Sequence, residues 1–118
     1  MKFERELLKG LAPAVVLEML SRDTMYGYQL SEAIARRSGN ILTLGKGTLY
    51  PLLYNLEAKG FIEGNWQESA NGRKRRYYII TTRGSTMLAR QKEQLLNLND
   101  AVNLVFGWAK SPQLSPSL

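Results

Sequence analysis

The chain has 118 residues, 44% of them hydrophobic, and its sixteen Lys and Arg against ten Asp and Glu give a formal net charge of +6. That length fits one domain with an appended helix or tail, and the apolar content is too high for a disordered chain. The absence of cysteine and histidine excludes disulfides and thiolate metal sites, and removes the commonest general base and metal ligand.

The positive charge is concentrated. Between Ser69 and Lys92 stand seven cations and no acid, which leaves nine cations against ten acids elsewhere. A local excess of this kind is an electrostatic footprint for a polyanion. No apolar run approaches the ~20 residues needed to span a bilayer. The opening residues, MKFERELLKG, carry acids where a secretory signal needs an apolar stretch. The expectation is a cytoplasmic protein with no membrane partner, nucleoid-associated if the polyanion is DNA.

In chain order, residues 3–9 (FERELLK) read as a short amphipathic segment with Phe3 and Leu7 at i,i+4 spacing, interrupted by Gly10. Pro13 suits the first turn of a second segment, residues 11–20, whose apolar circumference places it at the centre of the core. Asp23 or Thr24 caps the next helix, residues 25–38, in which Tyr26, Leu30, Ala33, Ile34 and Arg37 share a stripe. Gly39-Asn40 end it, and a connector follows.

The third helix begins near Thr48, with Pro51 in its first turn. Leu49, Leu52, Leu53 and Leu56 recur at i, i+3, i+4 and i+7 and define its buried face. The opposite face is Gly47, Pro51, Tyr54 and Ala58, flanked by Thr48, Tyr50 and Asn55. The one acid between residues 46 and 60, Glu57, lies about 80° from Leu49 at 100° per residue. Gly60 supplies a C-terminal stop.

Residues 61–67 alternate, residues 75–81 (RRYYIIT) are β-branched and aromatic, and Asn71-Gly72 between them is a hairpin signal. A two-residue loop pairs Trp66 with Tyr77 and a longer one brings it towards Tyr78; the register stays open. Thr81 or Thr82 then starts a long helix whose apolar seam, Leu88, Leu95, Leu98, Val102 and Val105, calls for a partner.

A helix with small or polar residues at its N-terminal end and no acid on its outer face suits the major groove of a duplex. Lys46, Thr48, Tyr50, Tyr54 and Asn55 are the groove candidates here. The hairpin tip carries Arg73, Lys74, Arg75 and Arg76, cations that clamp phosphates or enter a narrow minor groove. Taken singly, each element also reads as an ordinary solvated surface. Double-stranded DNA is therefore the expected partner. An RNA-binding winged helix and a winged helix used only for protein contacts are the alternatives. Catalysis is not expected: no His activates the available nucleophiles, and Gly45-Lys46-Gly47-Thr48 lacks the phosphate-loop frame. No cofactor or metal is called for. Phe106 and Trp108 either pack a dimer seam or line an effector pocket.

The order and wording of four motifs closely resemble the PadR family of bacterial transcriptional regulators. They are LLKGLAPAVVLEML, YGYQL, GTLYPLLYNLEAKGFI and GRKRRYYIITTRG, which together span about residues 6–100. The resemblance implies an α+β winged helix-turn-helix, mainly α with a two-stranded β-hairpin wing, over residues 1–81. A dimerisation helix over 82–109 and a disordered tail over 110–118 complete the expected organisation. It further implies a homodimer, more often a repressor, on a palindromic operator. Lys46, Thr48, Tyr50, Pro51 and Tyr54 would then lie at the major groove. Asn71, Gly72, Arg73, Lys74 and Arg75 would form the wing, and Tyr26 would approach the DNA backbone. Phe3, Leu7 and the seam residues would pair the subunits. Some small members carry a Trp midway along the last helix, where paired rings sandwich flat aromatic drugs. This chain has Leu95 there, a departure that speaks against that ligand class; Leu95, Phe106 and Trp108 are the candidate pocket for a small aromatic or amphipathic effector.

Overall fold

The structure is a computed structural model that describes residues 3–108. The elements run α1 (Arg5–Arg22), β1 (Met25–Tyr26), α2 (Gly27–Arg37), α3 (Lys46–Ala58), β2 (Ile62–Glu68), β3 (Lys74–Ile80) and α4 (Thr82–Phe106). The chain divides into two compact units, Met1–Leu88 and Ala89–Leu118. The expected tail over 110–118 lies outside the described residues.

In the first unit, α1 supplies the centre of the core through Ala12, Val16, Leu17, Met19 and Leu20. Two segments broken at Gly10 were expected; one continuous helix is observed, with Pro13 inside it. Gly10 meets nothing around its Cα, so it costs only about 1 kcal/mol of helix propensity. Pro13 deprives the Lys9 carbonyl of its helical partner, but Lys9 is exposed and water can serve that oxygen. Propagation through both is cheaper than a second nucleation.

The start of α2 also differs from expectation. Met25 and Tyr26 pair with Tyr78 and Tyr77 as a short strand, and the helix begins at Gly27 with Tyr26 as N-cap. Neither Asp23 nor Thr24 caps it; the Asp23 carboxylate instead accepts the Thr24 N–H at 2.8 Å. The Gln29 side chain reaches back to accept the Tyr26 N–H at 3.2 Å. Leu30, Ala33 and Ile34 are buried as the stripe predicts, while Arg37 at the helix end is exposed. Gly39 and Asn40, at φ 64° and 65°, turn the chain out of the helix.

The α3 helix starts two residues before Thr48, with Gly45 as N-cap, and the Gly45 carbonyl takes the Leu49 N–H at 2.9 Å. Leu49, Leu53 and Leu56 are buried, and Leu52 is partly so. Its end is a Schellman turn, in which the Gly60 N–H reaches the Glu57 carbonyl and the Phe61 N–H the Leu56 carbonyl. Gly60 holds φ at 80°, the left-handed region that this closure requires.

The hairpin joins a three-stranded antiparallel sheet of order β1-β3-β2, one strand more than the expected wing. Trp66 faces Arg76, a register one residue short of the Tyr77 pairing and two short of the Tyr78 pairing considered above. Ser69 and Arg73 close a three-residue loop through the Ser69 N–H, and the Gly72 N–H bonds the Ser69 carbonyl. Gly72 holds the positive φ of 82° that this loop form requires. The Asn-Gly signal thus marks the turn, but as part of the longer loop. Thr81 caps α4: its hydroxyl accepts the Gly84 N–H at 3.0 Å and donates to the Gly60 carbonyl at 2.7 Å.

Candidate nucleic-acid interface

The outer face of α3 is open. Gly47, Pro51, Tyr54 and Ala58 are all exposed, Tyr54 to 78%, and Lys46, Thr48 and Asn55 beside them are exposed too. Tyr50 is exposed to 45%, yet its ring is laid over Gly27 so closely that a Cβ there would come 2.6 Å from the hydroxyl. The first residue of α2 is therefore a glycine where a recognition-helix candidate crosses it.

The four consecutive cations of the hairpin do not act as one group. A strand sends neighbouring side chains to opposite faces, so the run is divided. Arg73 and Lys74 are exposed at the tip. Arg75 turns to the face of β1, its guanidinium 4.3 Å from the centre of the Tyr26 ring, and Tyr26 in turn meets Tyr77 edge-on at 5.3 Å. Tyr26 is thereby half-buried beneath a cation rather than standing free. Arg76 turns the other way and pairs with Glu57 of α3 at 2.6 Å. Asn71 shapes the tip itself, its side-chain oxygen accepting the Arg73 N–H at 3.2 Å.

Glu57, Gly64 and Gly27 have roles that the sequence did not announce. Glu57 takes both the Arg76 guanidinium and the Gly64 N–H, the latter at 3.1 Å. A glycine inside a strand signals close approach of another group; here that group is the Arg76 side chain. Below it, Tyr78 is buried, and burial raises its hydroxyl pKa above the ordinary 10.0, against the opposing pull of Arg76.

The expected pairing residues divide between the units. Leu88 is only 7% exposed and belongs to the core of the first unit, so it is not part of an open seam. It follows Met87 on the first turns of α4, where the winged unit still surrounds the helix. Leu7 is exposed, and Phe3 lines a cleft of about 570 Å³ between α1, the α2–α3 connector and α3. In the second unit, Leu98 and Val105 are 60% and 82% exposed, whereas Leu95 and Val102 are half-buried. Phe106 and Trp108 stack at 4.8 Å with both rings exposed. The residues called for an effector, Leu95, Phe106 and Trp108, do not line the cleft. No acid or His cluster able to hold a metal occurs among the described residues, and none of the described helices is long and apolar enough to cross a membrane.

Three helices with the third exposed, followed by a hairpin tied to that helix, form a winged helix-turn-helix, here extended by a long C-terminal helix. Solved structures share the arrangement. A PadR-like transcriptional regulator from Bacillus cereus (BC4206) superposes with TM-score 0.74 at 31% identity, covering 86% of this chain and 96% of that one. A PadR-family regulator from Eggerthella lenta superposes with TM-score 0.75 at 31% identity, covering 86% of each chain. Among curated proteins, Transcriptional regulator Rv3488 of Mycobacterium tuberculosis is 29% identical over 94 residues, 80% of this chain and 84% of its own length. Transcriptional regulator YqjI of Escherichia coli is 30% identical over 88 residues, which span 75% of this chain but only 41% of that protein. The profile of the Transcriptional regulator PadR-like family matches residues 16–90. The chain belongs to this family of transcriptional regulators.

Proposed function

We propose that the protein is a homodimeric repressor that binds a palindromic operator, with α3 in the major groove and the hairpin tip on the flanking backbone. The observation that carries this reading is the exposed, acid-free outer face of α3 together with a hairpin tied to that helix through Arg76 and Glu57, whose exposed tip bears Arg73 and Lys74. Tyr54 and Asn55 stand ready for base edges, Lys46 and Thr48 for the backbone at the start of the helix. Pro51 adds a flat apolar surface suited to a thymine methyl. Arg75, braced on Tyr26, adds a cation at the sheet face.

Pairing of two chains would set the α3 helices one duplex turn (~34 Å) apart. The exposed Leu98 and Val105 in the second unit, with Leu7 and Phe3 in the first, support such pairing. Release by a small aromatic or amphipathic effector belongs to the same reading, and the exposed Phe106–Trp108 stack offers a flat ring a surface. The test is recovery of genomic fragments by the purified protein, followed by gel-shift at low salt. Enrichment of fragments sharing an inverted repeat is expected. Failure to shift any duplex, or preference for structured RNA, would reject the reading.

A further inference from the structure

The pair between Glu57 and Arg76 raises a question of sign. Glu57 is the only acid in α3, and a negative charge beside a duplex works against binding. Both side chains are about one-third exposed, at 32% and 30%, and ion pairs so placed add little to stability. The surroundings show what the pair does. The Arg76 guanidinium crosses β2 at Gly64, where a Cβ would come 2.5 Å from its Nε and 2.9 Å from the Tyr78 ring. The strand forgoes a side chain at Gly64 to let the arginine pass. The carboxylate at the far side accepts both this guanidinium and the Gly64 N–H. Beyond this point the Arg75–Tyr26 contact holds β3 to β1, not to α3, and residues 67–74 are exposed except for Ser69.

We propose that Glu57 is a positioning residue for DNA binding: through Arg76 and the Gly64 amide it sets the angle of the wing to α3, so that the hairpin tip and the helix face meet one duplex together. Arg76 therefore belongs to the scaffold rather than to the phosphate contacts. This rests on the DNA-binding reading above.

The test compares two duplexes, one enriched by the wild-type protein from a random-sequence pool and one unselected, across a salt series. Glu57→Ala is expected to weaken binding to the enriched duplex about tenfold, with little change on the unselected one. Removal of a negative charge by itself would strengthen binding to both. Arg76→Lys, which keeps the charge and serves if the alanine variant is poorly folded, should lose selectivity in the same way with the salt slope unchanged. A Glu57→Ala/Arg76→Ala double variant should lose no more than the worse single one, as residues acting through each other do. Tighter binding by Glu57→Ala, or a slope lowered by ~1 in Arg76→Ala, would overturn the proposal. So would variants indistinguishable from a wild type that binds. A wild type that enriches and binds no duplex would instead defeat the underlying reading.

Discussion

Gly27 occupies the first position of α2, and a methyl group there would press on the Tyr50 ring. Alanine is favoured over glycine in a helix by up to about 1 kcal/mol, and a ring end can swing aside, so Gly27→Ala should leave the melting temperature nearly unchanged. On the proposed reading it should nevertheless weaken operator binding roughly tenfold, because a misplaced contact costs discrimination. Fluorescence anisotropy on operator and random duplexes would show this. Equal affinity to wild type would deny Tyr50 a part in readout. Tyr78 allows a prediction in pH. Its proton is held above 10.0 in the folded chain by burial. Below pH 10 both states carry that proton and its contribution is constant; above it the unfolded chain releases it first, so stability falls as pH rises. Urea melts at pH 9 and pH 11 should show a larger loss for the wild type than for Tyr78→Phe. An equal loss in both would show that the hydroxyl is not held by its surroundings.

At the level of elements, the junction between the sheet and α4 is the tightest local fit. A Cβ on Gly84 would overlap the Phe61 carbonyl oxygen, and backbone cannot step aside as a ring can. Gly84→Ala is expected to destabilise by ~3 kcal/mol or more, read from the midpoint of chemical unfolding. A wild-type midpoint would contradict the packing. Thr81→Val, which removes both the α4 cap and the bond to Gly60, should cost about 1–2 kcal/mol. These elements differ in how plainly the sequence announces them. The leucines of α3, its stop at Gly60 and the turn at Asn71-Gly72 depend on neighbours in the chain, and they were legible. The β1 strand was not, because only pairing with Tyr77 and Tyr78, some fifty residues on, makes Met25-Tyr26 extended. The fate of the four cations hid behind the same difficulty. A slip of one residue in register moves every side chain to the other face, so Arg76 could not be assigned to Glu57 before the Trp66–Arg76 pairing was known. The continuity of α1 was obscured by two helix breakers whose costs the exposed setting keeps small.

For the whole molecule, the proposed dimer makes assembly and stability separable. Leu88 lies in the core of the winged unit, so Leu88→Ala should cost about 2–5 kcal/mol of stability and leave assembly alone at temperatures where the chain is folded. Leu98→Glu and Val105→Glu, on the exposed side of α4, should do the reverse. Sedimentation equilibrium would then report monomers with near-normal melting, and unchanged dimers would exclude this surface from pairing.

The chain has no cysteine, so a single introduced thiol can carry a tethered DNA-cleaving iron chelate without ambiguity. Placed at Tyr54→Cys it should cut bound operator within the major groove, and at Arg73→Cys in the flanking minor groove. Each pattern should repeat one duplex turn on, as a dimer on a palindrome requires. Cuts no stronger than those from the same chelate free in solution, or cuts from the helix without any from the hairpin, would contradict a helix and wing that share one duplex.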